Sequence, residues 1–386
     1  MKKFGATVPP ELEGQVDGAV VRKTQEYEAE KTRFSFISSF FGNVITILFI
    51  FGGLLNLYNS WIASLHLSFI ISGWLFFLLL SYAGEVISVP FSLYRTFRIE
   101  NKYGFNTMTF RLWAADFVKS FLISTILLSI VLFAGFWLMQ KSPDYWWLWI
   151  WAFLFLFSIF IMYVAPYVIE PLFNKFTPVD DAILKERIVQ LTEKAGIHAH
   201  RILKIDASRR SRHTNAYFTG IGRTKRIVLY DTLLASMSQN EILSVLAHEI
   251  GHWKKKHLLK MLVALELFSF ITLYITFRIV QSDVLLTLFN IENNTLFSKF
   301  VLLGFLAGII LVPLRPLVSA FSRRQERQAD RTSYELTGDT GSMVSALVKL
   351  SKENLSNLHP HPLYVAMYYS HPPLIERIRS LKGFQK

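Results

Sequence analysis

The stretch Trp113–Met139 reads WAADFVKSFLISTILLSIVLFAGFWLM, and no charged residue follows Lys119 within it. A helix needs only roughly 20 apolar residues to cross the hydrocarbon core of a bilayer. Five other stretches have the same character. The sequence therefore predicts six membrane spans, at about 35–58, 62–89, 113–139, 145–168, 258–281 and 297–320. The first two are separated only by a tight turn at Tyr58–Trp61.

The composition agrees with a membrane protein. Of the 386 residues, 52% are hydrophobic and 18% are charged, which excludes a disordered chain and is unusually apolar for a soluble one. The formal net charge of +13 raises nucleic acid as a partner, but no basic-aromatic motif supports it, and we expect no nucleic acid to bind. The chain has no cysteine, so any metal ion must use histidine and carboxylate ligands.

Segments rich in lysine and arginine alternate with segments that have few or none, in agreement with six membrane crossings. The arm 1–34 carries 6, loop 90–112 carries 4, segment 169–257 carries 15 and the tail 321–386 carries 10, whereas loop 282–296 carries none. The positive-inside rule then predicts that both termini and segment 169–257 are cytoplasmic. The regions expected are the cytoplasmic arm 1–34, a four-helix transmembrane region 35–168, a catalytic region 169–257, a transmembrane hairpin 258–320 and a C-terminal catalytic segment 321–386.

Segment 169–257 has the pattern of a small α+β region. Ala182–Lys194 has helical spacing of apolar residues, while Arg201–Ile205 and Arg226–Tyr230 are typical of short strands. Between those strands, Ala216–Phe218 followed by a turn at Gly220–Gly222 predicts a hairpin.

The chemistry is indicated by LAHEIGHW at Leu246–Trp253, which contains the pattern H-E-x-x-H. On a helix, His248 and His252 share one face and can hold one Zn²⁺, and Glu249 can act as general base. Five letters alone are weak evidence, because two surface histidines on a helix give the same pattern. The preceding Gln239–Leu246 has amphipathic helical spacing, which favours the metal site.

A catalytic zinc needs a third protein ligand. The sixth span returns to the side of the H-E-x-x-H helix and delivers Glu326 to the level of His248 and His252, whereas Glu266 lies inside a span and Glu292 on the opposite side. Asp330, one turn after Glu326, can hydrogen-bond a ligating imidazole. Taken alone, these two acids would be a solvated charged helix face.

Three further residues have more than one interpretation. Asn215, before the predicted hairpin, can bind a substrate backbone beside the metal cleft or can be an ordinary turn residue. Glu266 and Arg315 lie at membrane depth, where a charge is costly. We expect them to line a hydrated interior, and a structural ion pair or snorkelling of Arg315 is the alternative.

Several motifs together resemble the type I integral-membrane CAAX prenyl proteases, zinc metalloproteases of the gluzincin kind, over nearly the whole chain. The motifs are Tyr27–Phe34, Phe97–Thr109, Pro166–Pro178, Asn215–Gly220, Val245–Trp253, Phe321–Asp330 and His371–Ile378. The resemblance implies an α-helical polytopic membrane protein of six to seven spans around an intramembrane chamber, with a small α+β cytoplasmic catalytic region.

The same resemblance implies roles for nine residues. One Zn²⁺ per chain is bound by His248, His252 and Glu326, with Glu249 as catalytic base and Asp330 beside the ligands. The substrate-binding residues implied are Asn215, the Ala216 backbone, His371 and Arg377. The last two would reach the substrate or the developing oxyanion.

The function expected is a membrane-embedded zinc metalloendopeptidase that hydrolyses peptide bonds near the cytoplasmic face. Its substrate is a peptide or protein, and C-terminal lipidation of that substrate is left open. The short chain and its end LKGFQK favour a bacterial inner-membrane homologue, for which quality control of membrane proteins is an alternative without prenyl specificity. Site-2-type proteolysis, a divalent-metal transporter and a non-catalytic scaffold are disfavoured. The oligomeric state is left open.

Overall fold

The computed structural model describes residues 8–197, 201–220, 226–291 and 294–384. Within them the chain is mainly helical. The α-helices are α1 Gly18–Phe51, α2 Leu54–Ser64, α3 Phe69–Tyr94, α4 Phe110–Lys141, α5 Trp146–Val164, α6 Glu170–Phe173, α7 Ala182–Lys194, α8 Asp231–Ser236, α9 Gln239–Lys254, α10 His257–Val280, α11 Val284–Leu288, α12 Leu296–Ile310, α13 Arg315–Thr337, α14 Thr340–Glu353, α15 Pro362–Tyr368 and α16 Leu374–Gly383. The strands are β1 Phe176–Pro178, β2 Arg201–Ile205, β3 Ala216–Thr219 and β4 Arg226–Tyr230.

The structure supports the six predicted spans. Five helical segments are long and apolar enough to cross a membrane, namely Gly18–Phe51, Phe69–Glu100, Phe110–Lys141, Trp146–Phe173 and His257–Val280. A sixth consists of α12 and the segment Val312–Thr337, which meet at a bend of 41°. Pro313 and Pro316 lie at this bend, where each removes a backbone donor from the helix.

The predicted tight turn at Tyr58–Trp61 is wrong, because these residues lie inside the short helix α2. The first span instead ends at Phe51, where Gly52 and Gly53 follow. Gly53 has φ of 82°, a left-handed conformation that glycine adopts without steric cost. The reversal between the first two spans therefore takes up residues 52–68.

The membrane helices form a ring. Contacts join α3 to α4, α4 to α5, α5 to α10 and α10 to α12, and α12 returns to α2 and α3. In the most apolar part of each span, the share of residues buried within the protein is 6% to 17% for the first four spans and 0% for α10. A bundle with a tightly packed core would bury a larger share of these residues. This agrees with the chamber that the resemblance implies.

Aromatic side chains close one end of the ring of helices. The ring of Phe297 lies 5.3–5.6 Å, centroid to centroid, from those of Phe69, Phe76 and Phe136. A Cβ atom on Gly73 would come within 2.5 Å of Phe136 and 2.7 Å of Phe297. Glycine at this position therefore lets α3 approach the cluster closely.

The sheet region lies at the other end. Its strands are ordered β1-β2-β4-β3, with β2 and β4 parallel and both outer pairs antiparallel. Helices α7 and α9 cover the sheet with a core that includes Ile188, Leu229, Leu246 and Ile250. The predicted helix and strands are confirmed. The predicted turn at Gly220–Gly222 extends into residues that lie outside the described ranges. Glu292 also lies outside them.

The two ends of the chain pack together. Leu12 and Val21 from the N-terminal arm share a core with Leu347 of α14 and with Ile378 and Leu381 of α16. The arm and the C-terminal segment therefore lie on one side of the membrane, as an even number of crossings requires.

Candidate metal centre

Helix α9 carries the H-E-x-x-H motif and is firmly anchored. Ser238 caps its N-terminus in a capping box, in which the Ser238 side chain accepts from the Glu241 backbone and the Glu241 side chain accepts from the Ser238 backbone. Glu241 also accepts a hydrogen bond from Lys349 on α14. Leu246 and Ile250 are fully buried against the sheet. The opposite face, with His248 and His252, is thereby turned towards α13.

Close packing of α9 on α13 brings the motif to Glu326. A Cβ atom on Gly251 would lie 2.8 Å from the Cα atom of Ala329 and 3.1 Å from its carbonyl oxygen. Across the same contact, the Ser333 hydroxyl donates to the carbonyl of Ser244 at 2.8 Å. Only a residue without a side chain allows this approach.

His248, His252 and Glu326 converge as a candidate metal site. Each histidine Nε2 lies 3.3 Å from a different oxygen of the Glu326 carboxylate, and the two Nε2 atoms lie 3.2 Å apart. Ligand atoms bound to a tetrahedral ion at ~2.0–2.2 Å lie about 3.3 Å from one another. Glu326 is 5% exposed, and its carboxylate is directed at the two histidines. The residues therefore fit a divalent ion.

Asp330 orients His248 from the other side. The Nδ1 atom of His248 donates to Asp330 at 2.8 Å, and Arg377 binds the same carboxylate through Nε at 2.9 Å and Nη2 at 2.5 Å. This leaves Nε2 of His248 directed at the metal position. Burial opposes a charge on His248, but hydrogen bonds with Asp330 and Glu326 outweigh it and raise the pKa of His248 to about 9. Metal binding must therefore displace a proton from this imidazole.

His257 and Gln328 orient His252, a role that the sequence did not indicate. Nε2 of His257 donates to Gln328 Oε1 at 3.0 Å, so its Nδ1 atom can accept from Nδ1 of His252 at 3.1 Å. That leaves the lone pair of His252 on Nε2, the tautomer that ligates a metal. The contact depends on the break between α9 and α10, where Lys256 has φ of 55°. No sequence pattern indicated it.

Glu249 lies beside the ligands. It lines a cavity of about 520 Å³ together with His252 and Glu326. Burial raises the pKa of Glu249, against the opposing influence of His248, His252 and Arg377. A carboxylate whose pKa is raised is a better proton acceptor, which suits a general base.

Two cavities flank the ligands along strand β3, which is an edge strand of the sheet. The 520 Å³ cavity, named here the apolar cavity, lies towards the end of β3 at Phe218 and Gly220; its apolar lining is Met162, Trp253, Leu258, Leu259, Met261 and Leu262. The polar cavity, of about 620 Å³, lies at the start of β3 at Thr214 and Asn215. Its polar lining includes Lys31, Tyr364, Tyr368, Tyr369, His371 and Arg377.

The structure brings the remaining predicted site residues to this cleft. His371 lies at its mouth, with Nε2 3.4 Å from Glu326, and its side chain is 60% exposed. Asn215 uses its side-chain oxygen to accept from the Ala216 backbone at 2.9 Å. Arg377 lines the polar cavity while it holds Asp330.

Glu266 and Arg315 make contacts away from the metal ligands. The Glu266 carboxylate accepts from Ser269 at 3.4 Å, and its backbone carbonyl accepts from Trp151. The guanidinium of Arg315 lies over the ring of Tyr368, 5.7 Å from its centroid. Their role in a hydrated interior stays a prediction.

Two family models match the chain. Residues 1–175 match the N-terminal region of CAAX prenyl proteases, described as five membrane helices, and residues 178–385 match peptidase family M48. Within residues 1–175 the structure has four spanning segments and the short helix α2, with α6 forming the end of the span Trp146–Phe173. The difference between six and seven spans therefore depends on how α2 is counted.

Individual proteins agree with the family models. The chain is 35% identical to CAAX prenyl protease 1 of Saccharomyces cerevisiae, over 97% of this chain and 88% of that protein. It is 31% identical to an uncharacterized metalloprotease, YhfN, of Bacillus subtilis, over 79% of this chain and 72% of that one. The crystal structure of S. mikatae Ste24p superposes with a TM-score of 0.91 at 33% identity, covering 97% of this chain and 91% of that chain.

Proposed function

The chain belongs to peptidase family M48 and to its CAAX prenyl protease branch, and we propose from this that it holds one Zn²⁺ on His248, His252 and Glu326 and cleaves peptides whose C-termini are lipidated. It is an integral membrane protein and a metalloendopeptidase. The observation that carries the proposal is the spacing of 3.2–3.3 Å among the ligand atoms of His248, His252 and Glu326, beside Glu249.

The donor set favours zinc. Two imidazole nitrogens and one carboxylate, with a fourth side facing the cleft, are the arrangement of catalytic zinc sites. Softer thiolate ligands are excluded because the chain has no cysteine. When bound, the ion supplies a Lewis acid that acidifies water and polarises the scissile carbonyl.

The residues around the ligands have different roles in hydrolysis. Glu249 accepts the proton of the attacking water and then delivers it to the leaving amine. Asp330, held by Arg377, keeps His248 in the ligating tautomer. His371, at the mouth of the cleft, supplies a donor towards the oxyanion that develops on the carbonyl.

The substrate runs along β3 in the proposed complex. An extended peptide can add to an edge strand by backbone hydrogen bonds, and Asn215 and the Ala216 backbone lie at that edge. The polar cavity, with Lys31, His371 and Arg377, suits a terminal carboxylate. The apolar cavity suits a lipid attached upstream of the cleaved bond. These two complementarities together favour a substrate antiparallel to β3, with its C-terminus at Asn215.

A quality-control protease without prenyl specificity is the second candidate. The match to a bacterial metalloprotease favours it, since bacteria generally lack protein prenylation. We further propose that the protein lies in a bacterial inner membrane, with the metal site and both termini cytoplasmic. The basic segments, including Lys254–Lys256 directly after the motif, support this orientation.

A direct experiment compares the purified wild type with Glu249→Ala. Bound zinc is measured, and cleavage is assayed on a farnesylated and an unprenylated reporter peptide. We expect zinc in both proteins and cleavage only by the wild type, with the farnesylated peptide preferred. Glu335→Ala, on the exposed face of α13, is the control and should behave like the wild type. Equal activity in Glu249→Ala would contradict the mechanism, and equal rates on both peptides would favour quality control.

A further inference from the structure

A third cavity, of about 770 Å³, lies where the span Trp146–Phe173 meets the sheet region. The span contributes Tyr167 and Pro171 to its wall, and the sheet contributes Phe176 and Leu203. None of its lining residues lines the two cavities beside the metal ligands. Four cationic side chains surround it: Lys175, Lys185, Arg201 and Arg226.

Two of these cations occupy neighbouring positions on adjacent strands of the sheet. Arg201 and Arg226 are the first register pair of the parallel strands β2 and β4. Side chains paired in this way point to the same face, and like charges placed directly opposite destabilise a sheet. Such a pair is stable when an anion lies between the two guanidinium groups.

Arg226 has an unused donor inside the protein. It is 5% exposed, its Nη2 atom donates to the carbonyl of Pro166 and lies 3.4 Å from Glu170, and its guanidinium lies 4.6 Å from the centroid of Tyr167. Among the described residues, however, its buried Nε has no acceptor. Burial removes the water that would hydrogen-bond this donor, and without an acceptor the desolvation penalty is not compensated. The single negative charge of Glu170 does not balance the four positive charges around the cavity, so the cavity keeps a net positive charge.

We propose that this cavity binds the phosphate of an anionic membrane lipid. Guanidinium groups pair well with phosphate oxygens, and basic pockets at the membrane surface are typical sites for anionic headgroups. The position favours a lipid over a soluble phosphate, because Val168 and Leu172 at the same end of the span expose 56% and 50% of their surface. These side chains provide an apolar track for acyl chains beside the headgroup. The site does not depend on the proposed peptidase mechanism.

The test uses the full chain in detergent. Binding of phosphatidylglycerol and of phosphatidylcholine is measured by native mass spectrometry and by the shift in melting temperature. The variant Lys185→Gln/Arg201→Gln removes two exposed cations from the cavity. It should bind phosphatidylglycerol about 25-fold more weakly, at roughly a factor of five for each charge. Without lipid it should melt no lower than the wild type, because the repulsion on Arg226 is relieved.

The matched control is Arg22→Gln/Lys23→Gln, which removes the same charge from exposed positions of α1 outside the cavity. It should keep the wild-type affinity for phosphatidylglycerol. Equal binding by both double variants would overturn the proposal, and so would equal stabilisation by phosphatidylcholine. Stabilisation by inorganic phosphate equal to that by the lipid would show that the ligand is a soluble phosphate and would overturn the lipid assignment.

Discussion

Replacing Gly251 with alanine tests whether the contact between α9 and α13 sets the geometry of the metal ligands. The new Cβ would lie 2.8 Å from the Cα atom of Ala329 and 3.1 Å from its carbonyl oxygen. Carbon atoms in ordinary contact are roughly 3.5–4.0 Å apart. Both neighbouring atoms belong to the backbone and cannot rotate away, so the helices must separate by about 0.7 Å or more.

That separation acts directly on the site, because Glu326 lies one turn before Ala329 and the histidines lie on α9. A metal site tolerates deviations of only roughly 0.2 Å in its ligand distances. We therefore expect zinc affinity to fall at least about 10-fold, and the free energy of unfolding to fall by about 1–3 kcal/mol from overpacking. Competition with a fluorescent chelator measures the first quantity, and thermal unfolding in detergent checks the second.

Gly308→Ala is the matched control, since a Cβ atom on Gly308 in α12 meets no atom within 4 Å. It should retain the zinc affinity and melting temperature of the wild type. If Gly251→Ala behaved in the same way, the close approach of α9 and α13 would not determine the ligand geometry.

Three other predictions concern the surroundings of the site. His257→Ala should lower zinc affinity about 10- to 100-fold, as measured by chelator competition, because His252 loses the acceptor that sets its tautomer. Glu241→Gln should lower the free energy of unfolding by about 3 kcal/mol at pH 7, because burial is outweighed by hydrogen bonds, foremost from Lys349, that lower the pKa of Glu241 to about 2. This stabilisation is complete above pH 4.5 and disappears as the pH falls towards 2, so melting curves of the variant and the wild type should converge there. Lys31→Gln should raise KM about 5-fold for a reporter peptide with a free terminal carboxylate. It should leave KM unchanged for the same peptide with an amidated C-terminus.

Each of these predictions has a result that contradicts it. Gln328→Glu keeps an acceptor oxygen for His257 and should retain zinc affinity, whereas Gln328→Leu should lose it; equal affinities would remove the proposed role of His257. A constant difference in melting temperature between pH 7 and pH 3 would show that Glu241 does not titrate as described. Lys23→Gln, exposed and outside the polar cavity, should leave KM unchanged, and an equal rise in both lysine variants would rule out a local carboxylate contact.

Local patterns were sufficient to predict the membrane spans and the three residues that converge as the candidate metal site. An apolar run long enough to cross a bilayer must do so as a helix, since its backbone groups can only be satisfied internally. The i, i+4 spacing of His248 and His252 is a property of one helix, and the parity of the crossings placed Glu326 on the same side. The turn at Tyr58–Trp61 was mispredicted because Gly52 and Gly53, inside an apolar run, were not recognised as a helix end.

The sequence by itself determined the membrane class, the even number of crossings that brings both ends of the chain to one side, and the residue types that can hold a metal ion. Only the tertiary structure decided which groups orient those ligands. His257 reaches His252 through a left-handed residue at Lys256, and Arg377 reaches Asp330 from a helix 47 positions further along the chain. It also decided that Arg201 and Arg226 face the same cavity. Hydropathy and helical spacing are properties of neighbouring residues, whereas these contacts depend on how distant helices and strands pack, which no local pattern encodes.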